Sequence, residues 1–201
     1  MARKKHYITN INNRDIKALN FLRCTGHVKK EHLLSCITKS RISNYEKEGL
    51  IIKEVYVTTS NEKIIAYKFS KKGSDLARKF LNRDSFYKSQ SIIHDCKLSD
   101  RYFSLTEKER ESWQTENELR NRFFQKLEEI KTEDNQRYNE LYNQYQNREI
   151  SMPDCLYITE TGIEIFYESV TNSYKQIDLI AKERAVEVIK VNNSSTYETV
   201  R

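Results

Sequence analysis

The chain has 201 residues, 37% hydrophobic and 32% charged, with only four Gly and one Pro. Its 13 Tyr and 8 Phe supply core bulk, which excludes wholesale disorder, and the length suits one large domain or two small ones. No apolar run nears the roughly 20 residues of a membrane span, and the opening Met-Ala-Arg-Lys-Lys-His carries no secretory signal, so a cytoplasmic location with no membrane partner is expected. Charge is uneven: residues 1–90 hold 20 Lys and Arg against 8 Asp and Glu, and residues 91–201 hold 15 against 21.

In chain order, residues 1–12 form a basic arm with Arg3, Lys4 and Lys5. Asn13 caps a first helix over 13–24, with Ile16, Leu19, Phe21 and Leu22 at helical spacing and Gly26 as its end. His27-Val28 opens a short second helix that turns Leu33 and Leu34 inward. Thr38 caps a third, Lys39–Glu48, whose inner residues Ile42 and Tyr45 stand three apart. Gly49 ends it. Ile52–Val57 and Lys63–Phe69 read as a hairpin around a polar turn, and Lys71-Lys72-Gly73 leads into a helix with Leu76, Ala77, Phe80 and Leu81 inside. Three helices, a hairpin and a helix over 13–83 is the order of a winged helix-turn-helix.

The stretch Ser40-Arg41-Ile42-Ser43-Asn44-Tyr45-Glu46-Lys47-Glu48-Gly49-Leu50-Ile51 resembles the recognition helix and exit of bacterial winged-helix regulators, and Phe69-Ser70-Lys71-Lys72-Gly73 is similar to the phrase that closes that domain. A recognition helix puts its outer face in the major groove. Arg41 then suits guanine and Asn44 adenine, with Ser40 and Ser43 beside them. Lys29, Lys30, Lys39 and Lys47 suit phosphates, and Asn61 and Lys63 at the hairpin tip suit backbone or minor groove. The expected partner is double-stranded DNA.

A polar joint, 84–90, precedes a second domain over 91–191. A helix carries Ile92, Ile93, Cys96 and Leu98. A charged loop over 106–112 follows, and then a helical arm over 115–147 with stripes Leu119, Phe123, Leu127, Ile130 and Tyr138, Leu141, Tyr142, Tyr145, suited to a core or to a homodimer. Two strands, Asp154–Thr159 and Ile163–Glu168, turn at Gly162. A last helix spans 174–191, with Ile177, Ile180, Ala181, Ala185, Val188 and Ile189 apolar, and 192–201 is a polar, frayed tail. Cys24, Cys36, Cys96 and Cys155 form no CxxC pair, so reduced thiols without zinc are expected. His94-Asp95 reads as a helix surface or a core hydrogen bond.

Pro153-Asp154 and, fourteen residues on, Glu168 resemble the PD-(D/E)xK motif of restriction-endonuclease-like folds. That resemblance implies a divalent metal, Mg or Mn, between Asp154 and Glu168, with Glu116 completing the set. The motif's Lys is Val170 here, which makes the resemblance that of a degenerate, structural version of the domain, with Lys175 on the next helix as the replacement if it cleaves. Trp113-x-x-Glu116, Pro153-Asp154 and Tyr167-Glu168-Ser169-Val170-Thr171, followed by Tyr174 and Lys182, are similar to the replication-relaxation family of plasmids and conjugative elements.

The fold class expected is α+β: a winged helix-turn-helix, then a small α/β domain of endonuclease-like topology. The function expected is a DNA-binding accessory or regulatory protein of a mobile element, acting in replication, transfer or transcription control without a cofactor, its partners including replication or conjugation proteins. The alternatives are a metal-dependent endonuclease using Asp154 and Glu168, and a protein-binding scaffold.

Overall fold

The structure, a computed structural model, describes residues 6–171, 174–191 and 195–200. Arg3, Lys4 and Lys5 of the expected arm lie outside the described residues. The fold is mixed α and β with two sheets, in two compact units, Met1–Ser104 and Leu105–Arg201. No helix among the described residues is long and apolar enough to cross a membrane.

The first unit runs α1 (Asn13–Thr25), β1 (Val28–Lys29), α2 (Lys30–Leu34), α3 (Lys39–Lys47), β2 (Ile51–Val57), β3 (Lys63–Phe69), α4 (Lys71–Leu81) and α5 (Ile92–Ser104). Asn12, one residue before the expected cap, starts α1. Its side chain accepts from the Arg14 and Asp15 backbone N–H groups, and Asp15 accepts from the Asn12 N–H in return. Gly26 closes α1 at φ 76°, and a Cβ there would lie 2.7 Å from Asp95 Oδ2, so the position demands glycine twice over. His27-Val28 does not open a helix: Val28 and Lys29 pair with Tyr67 and Ala66, giving an antiparallel sheet of order β1-β3-β2. Leu33 is buried and Leu34 faces solvent, because α2 is a turn and a half long and buries one apolar side chain. Gly73 lets α4 pass β2, since a Cβ would fall 1.8 Å from the Leu50 carbonyl oxygen. Ala77 is buried, whereas Phe80, expected inside, is 45% exposed.

Helix α5, expected to open the second domain, belongs to the first unit. Phe21 of α1 meets Tyr102 and Phe103 edge-on, at 5.6 and 4.7 Å between ring centroids. Asp95 accepts from Ser89 Oγ and sits 2.7 Å from His27 Nδ1, whose Nε2 lies 3.0 Å from Glu54 of β2. His94-Asp95 is therefore core, with His94 Nδ1 3.2 Å from Asp95. The joint before α5 is short enough to fold back, so the change in composition at residue 91 marks no boundary.

The second unit runs α6 (Glu107–Glu111), β4 (Gln114–Thr115), α7 (Glu116–Glu133), α8 (Asn135–Gln146), β5 (Cys155–Ile158), β6 (Glu164–Ser169), α9 (Gln176–Ile189) and β7 (Thr196–Val200). Thr106 and Glu109 form a capping box, which makes the expected charged loop a short helix. Leu119, Phe123 and Leu127 pack with Leu141, Leu156, Phe166, Ala185 and Ile189, so the arm's stripe is used within the chain. Burial of each such Leu or Phe stabilises by about 1.5–3 kcal/mol. Ile177, one of the apolar residues of this helix, is 69% exposed in the first turn of α9.

The sheet has order β4-β5-β6-β7, antiparallel except for β6 with β7. The tail expected to fray is this last strand: Thr196–Val200 registers with Ile165–Ser169, and the Val170 N–H reaches the Val200 carbonyl. A parallel neighbour needs a crossover, and α9 provides it. Its central partner β6 is buried at all six positions, with no solvent-facing alternation.

Candidate functional site

Two sites were expected, and each lies within one unit. On α3, Ile42 and Tyr45 turn inward while Lys39, Ser40 and Lys47 are exposed and Ser43 and Asn44 half-buried. Thr38 caps the helix with its hydroxyl on the Arg41 N–H. Lys47 lies over the Tyr7 ring, 5.3 Å from its centroid. At the hairpin tip Asn61 takes φ 62° and is exposed beside exposed Lys63; Lys53, on β2, is a further outward cation that the sequence reading missed. Lys30 is half-buried at the start of α2, and Lys29 is paired with Asp100 at 2.6 Å.

Arg41 does not face outward as a reader of guanine. Its guanidinium holds Asp15 with both prongs, Nε to Oδ1 at 2.9 Å and Nη2 to Oδ2 at 2.7 Å. Nη2 also donates to the Asn10 carbonyl, and Tyr45 donates to Asp15 at 2.8 Å. Burial by itself raises the Asp15 carboxyl. Hydrogen bonds from Arg41, the Asn12 backbone and Tyr45, with the Arg41 charge, outweigh that and hold it below the usual carboxylate range. The fork that suits guanine suits a carboxylate equally, and the nearer anion is internal. Cations the sequence reading passed over are Arg14 and Lys17, which line a cleft of about 410 Å³ with the α2–α3 turn, Leu34–Thr38.

In the second unit β5 and β6 bring Asp154 and Glu168 together, both buried. The Asp154 N–H donates to Glu168 Oε2 at 2.9 Å, and the Ser169 N–H donates to Asp154 Oδ2 at 2.8 Å. Lys175, expected to help, is exposed at the start of α9, where its backbone N–H donates to Asp178. Lys182, two turns further on, is the cation that arrives. Its Nζ lies 2.9 Å from Glu168 Oε1 and donates to the Met152 carbonyl at 2.8 Å. Tyr174 donates to the same Glu168 Oε1 at 2.6 Å. Glu116 does not join the pair: its carboxylate accepts from Arg120, on the wall of an approximately 610 Å³ cleft that Tyr174 and Lys182 also line.

Burial pushes the Glu168 carboxyl up, and the Asp154 charge adds to that against the pull of Lys182 and Tyr174. Burial lowers the Lys182 ammonium, but the charges of Glu168 and Asp154 more than reverse it. Tyr174 is raised by burial and by Glu168. Lys182 stands in sequence at the end of the replication-relaxation resemblance and on the inward stripe of α9, next to Ala181 and one turn before Ala185 and Val186, where a lysine needs a partner.

None of the four cysteines forms a disulfide; Cys24, Cys96 and Cys155 are buried and Cys36 half-buried. Burial pushes the Cys96 thiol up to about 12. Comparison with protein-family models, with curated proteins and with solved structures finds no match for this chain.

Proposed function

We propose that the chain binds double-stranded DNA through a winged helix-turn-helix in its first unit, as an accessory or regulatory protein of a plasmid or conjugative element. One arrangement carries the reading: α3 leads directly into the β2–β3 hairpin of a β1-β3-β2 sheet and turns Lys39, Ser40 and Lys47 outward, with Lys53 and Lys63 on the hairpin. A recognition helix so placed enters the major groove. Ser40, Ser43 and Asn44 meet base edges, Asn44 being suited to adenine. Lys39, Lys47, Lys53, Lys63, Arg14 and Lys17 neutralise phosphates and make affinity fall with salt. The second unit serves a second copy of the chain or a replication or conjugation protein.

The test is fluorescence anisotropy with duplexes tiled across the DNA flanking the gene, against scrambled competitor at about 0.15 M ionic strength. One tile should bind well above the rest. Weak binding to every tile, erased by salt, would remove specific recognition and favour the protein-binding scaffold. The endonuclease alternative has the arrival of Lys182 beside Glu168 in its favour. Against it stands the donor set around the two carboxylates.

A further inference from the structure

A hard divalent cation between two carboxylates needs oxygens of both, completed by backbone carbonyls and water. Here three of those four oxygens have other work. Glu168 Oε2 accepts a backbone N–H, Glu168 Oε1 accepts Tyr174 and meets Lys182, and Asp154 Oδ2 accepts the Ser169 N–H. The Lys182 ammonium draws on one carboxylate oxygen and one backbone carbonyl, that of Met152, which is the kind of oxygen set a hard cation takes. It reaches them from a buried position on α9, next to a cleft roomy enough for a hydrated ion. A lysine so buried is kept only by compensating charge, and Asp154 with Glu168 provides it.

We infer that the Lys182 ammonium holds the place a divalent cation holds in endonuclease-like folds, so that the Asp154–Glu168 pair is complete without metal and the second unit is a stable scaffold, not a metal-dependent cleaver. The donor set and the implied metal therefore disagree, and the disagreement has a physical source: one chain-borne charge, delivered by a helix, replaces an ion drawn from solution. A corollary is that removing the ammonium uncovers a cation site.

Binding of Mn²⁺ to the full chain, followed by the electron paramagnetic resonance signal of the free ion, tests this beside the melting temperature with and without chelator. Wild type and Asp154→Asn should take up equal Mn²⁺, and chelator should leave the wild-type melting temperature unchanged. Lys182→Ala should take up one more Mn²⁺ per chain than wild type, lost again in Lys182→Ala with Asp154→Asn. Extra uptake by wild type over Asp154→Asn, or a lower wild-type melting temperature in chelator, would overturn the inference. So would a folded Lys182→Ala with no gain. If Lys182→Ala does not fold, the wild-type measurements decide alone. None of these readings involves DNA, so they stand or fall apart from the proposed binding function.

Discussion

Each unit hides a carboxylate cluster next to one cation and one tyrosine, and the two clusters settle differently. In the first, one carboxylate, Asp15, meets a two-pronged Arg41 and the Tyr45 hydroxyl, and its carboxyl is held below the usual range. In the second, two carboxylates lie side by side, the Lys182 ammonium pairs with Glu168, and the Glu168 carboxyl is raised. The difference is charge balance. A buried acid matched one-to-one with a guanidinium ties α1 to α3 and has no charge left over. Two buried acids side by side repel each other, and that repulsion is what would attract a cation were the Lys182 ammonium absent.

The sharpest way to break the comparison is to remove the shared cation. Lys182→Met leaves two carboxylates buried against each other, and the second unit should lose about 4 kcal/mol. The only tryptophan, Trp113, lies in that unit, so urea unfolding followed by its fluorescence reads the loss. Adding Asp154→Asn should recover part of it by removing the repulsion. A loss below about 1 kcal/mol would mean that the ammonium is dispensable and the cluster is no closed set. Next in size, Asp15→Asn should cost the first unit about 3 kcal/mol, since Arg41 loses its counter-charge and an amide NH2 replaces one of the two oxygens that accept from Arg41 and Tyr45. Hydrogen exchange of the α1 and α3 amides measures that unit by itself.

Acid provides a gentler probe of the same contrast. The Asp15 carboxyl lies lower in the folded chain than its ordinary value of 3.8, so its contribution is present above that value and lost as pH falls through the folded one. Exchange protection of α1 and α3 should therefore weaken in acid, and Asp15→Asn should flatten that dependence. Protection that weakens equally in the variant would assign the acid sensitivity to other groups.

Periodicity and capping made most of the elements legible before the structure. Thr38, Ile42 and Tyr45 announce α3, and Leu119, Phe123 and Leu127 announce the buried face of α7. What stayed hidden depends on partners distant in sequence. Val28-Lys29 is too short to read as a strand without Tyr67 and Ala66 opposite it, and Thr196–Val200 reads as a polar tail until β6 supplies a neighbour. The acid pair was legible from its spacing. Its cation was assigned to Lys175 although Lys182 also stood in the resemblance, because only the direction of α9 turns one to solvent and the other inward. Arg41 was misassigned for a related reason: a fork on an outward turn looks free until Asp15, twenty-six residues earlier, is seen beneath it.

That reassignment yields the smallest effects and the most direct test of the α3 face. Arg41→Ala should lower the stability of the first unit while leaving the preference for target over scrambled duplex unchanged, because the guanidinium is spent on Asp15. Lys39→Ala and Lys47→Ala should instead weaken binding while leaving stability within about 0.5 kcal/mol of wild type. Each removes one exposed cation, so the slope of log affinity against log salt should fall by about 1 per substitution, with target and scrambled duplexes weakened alike. A changed base preference in Arg41→Ala at temperatures where it stays folded would return that residue to the groove. An unchanged salt slope in both lysine variants would take α3 off the DNA and leave the hairpin lysines as the surviving contact.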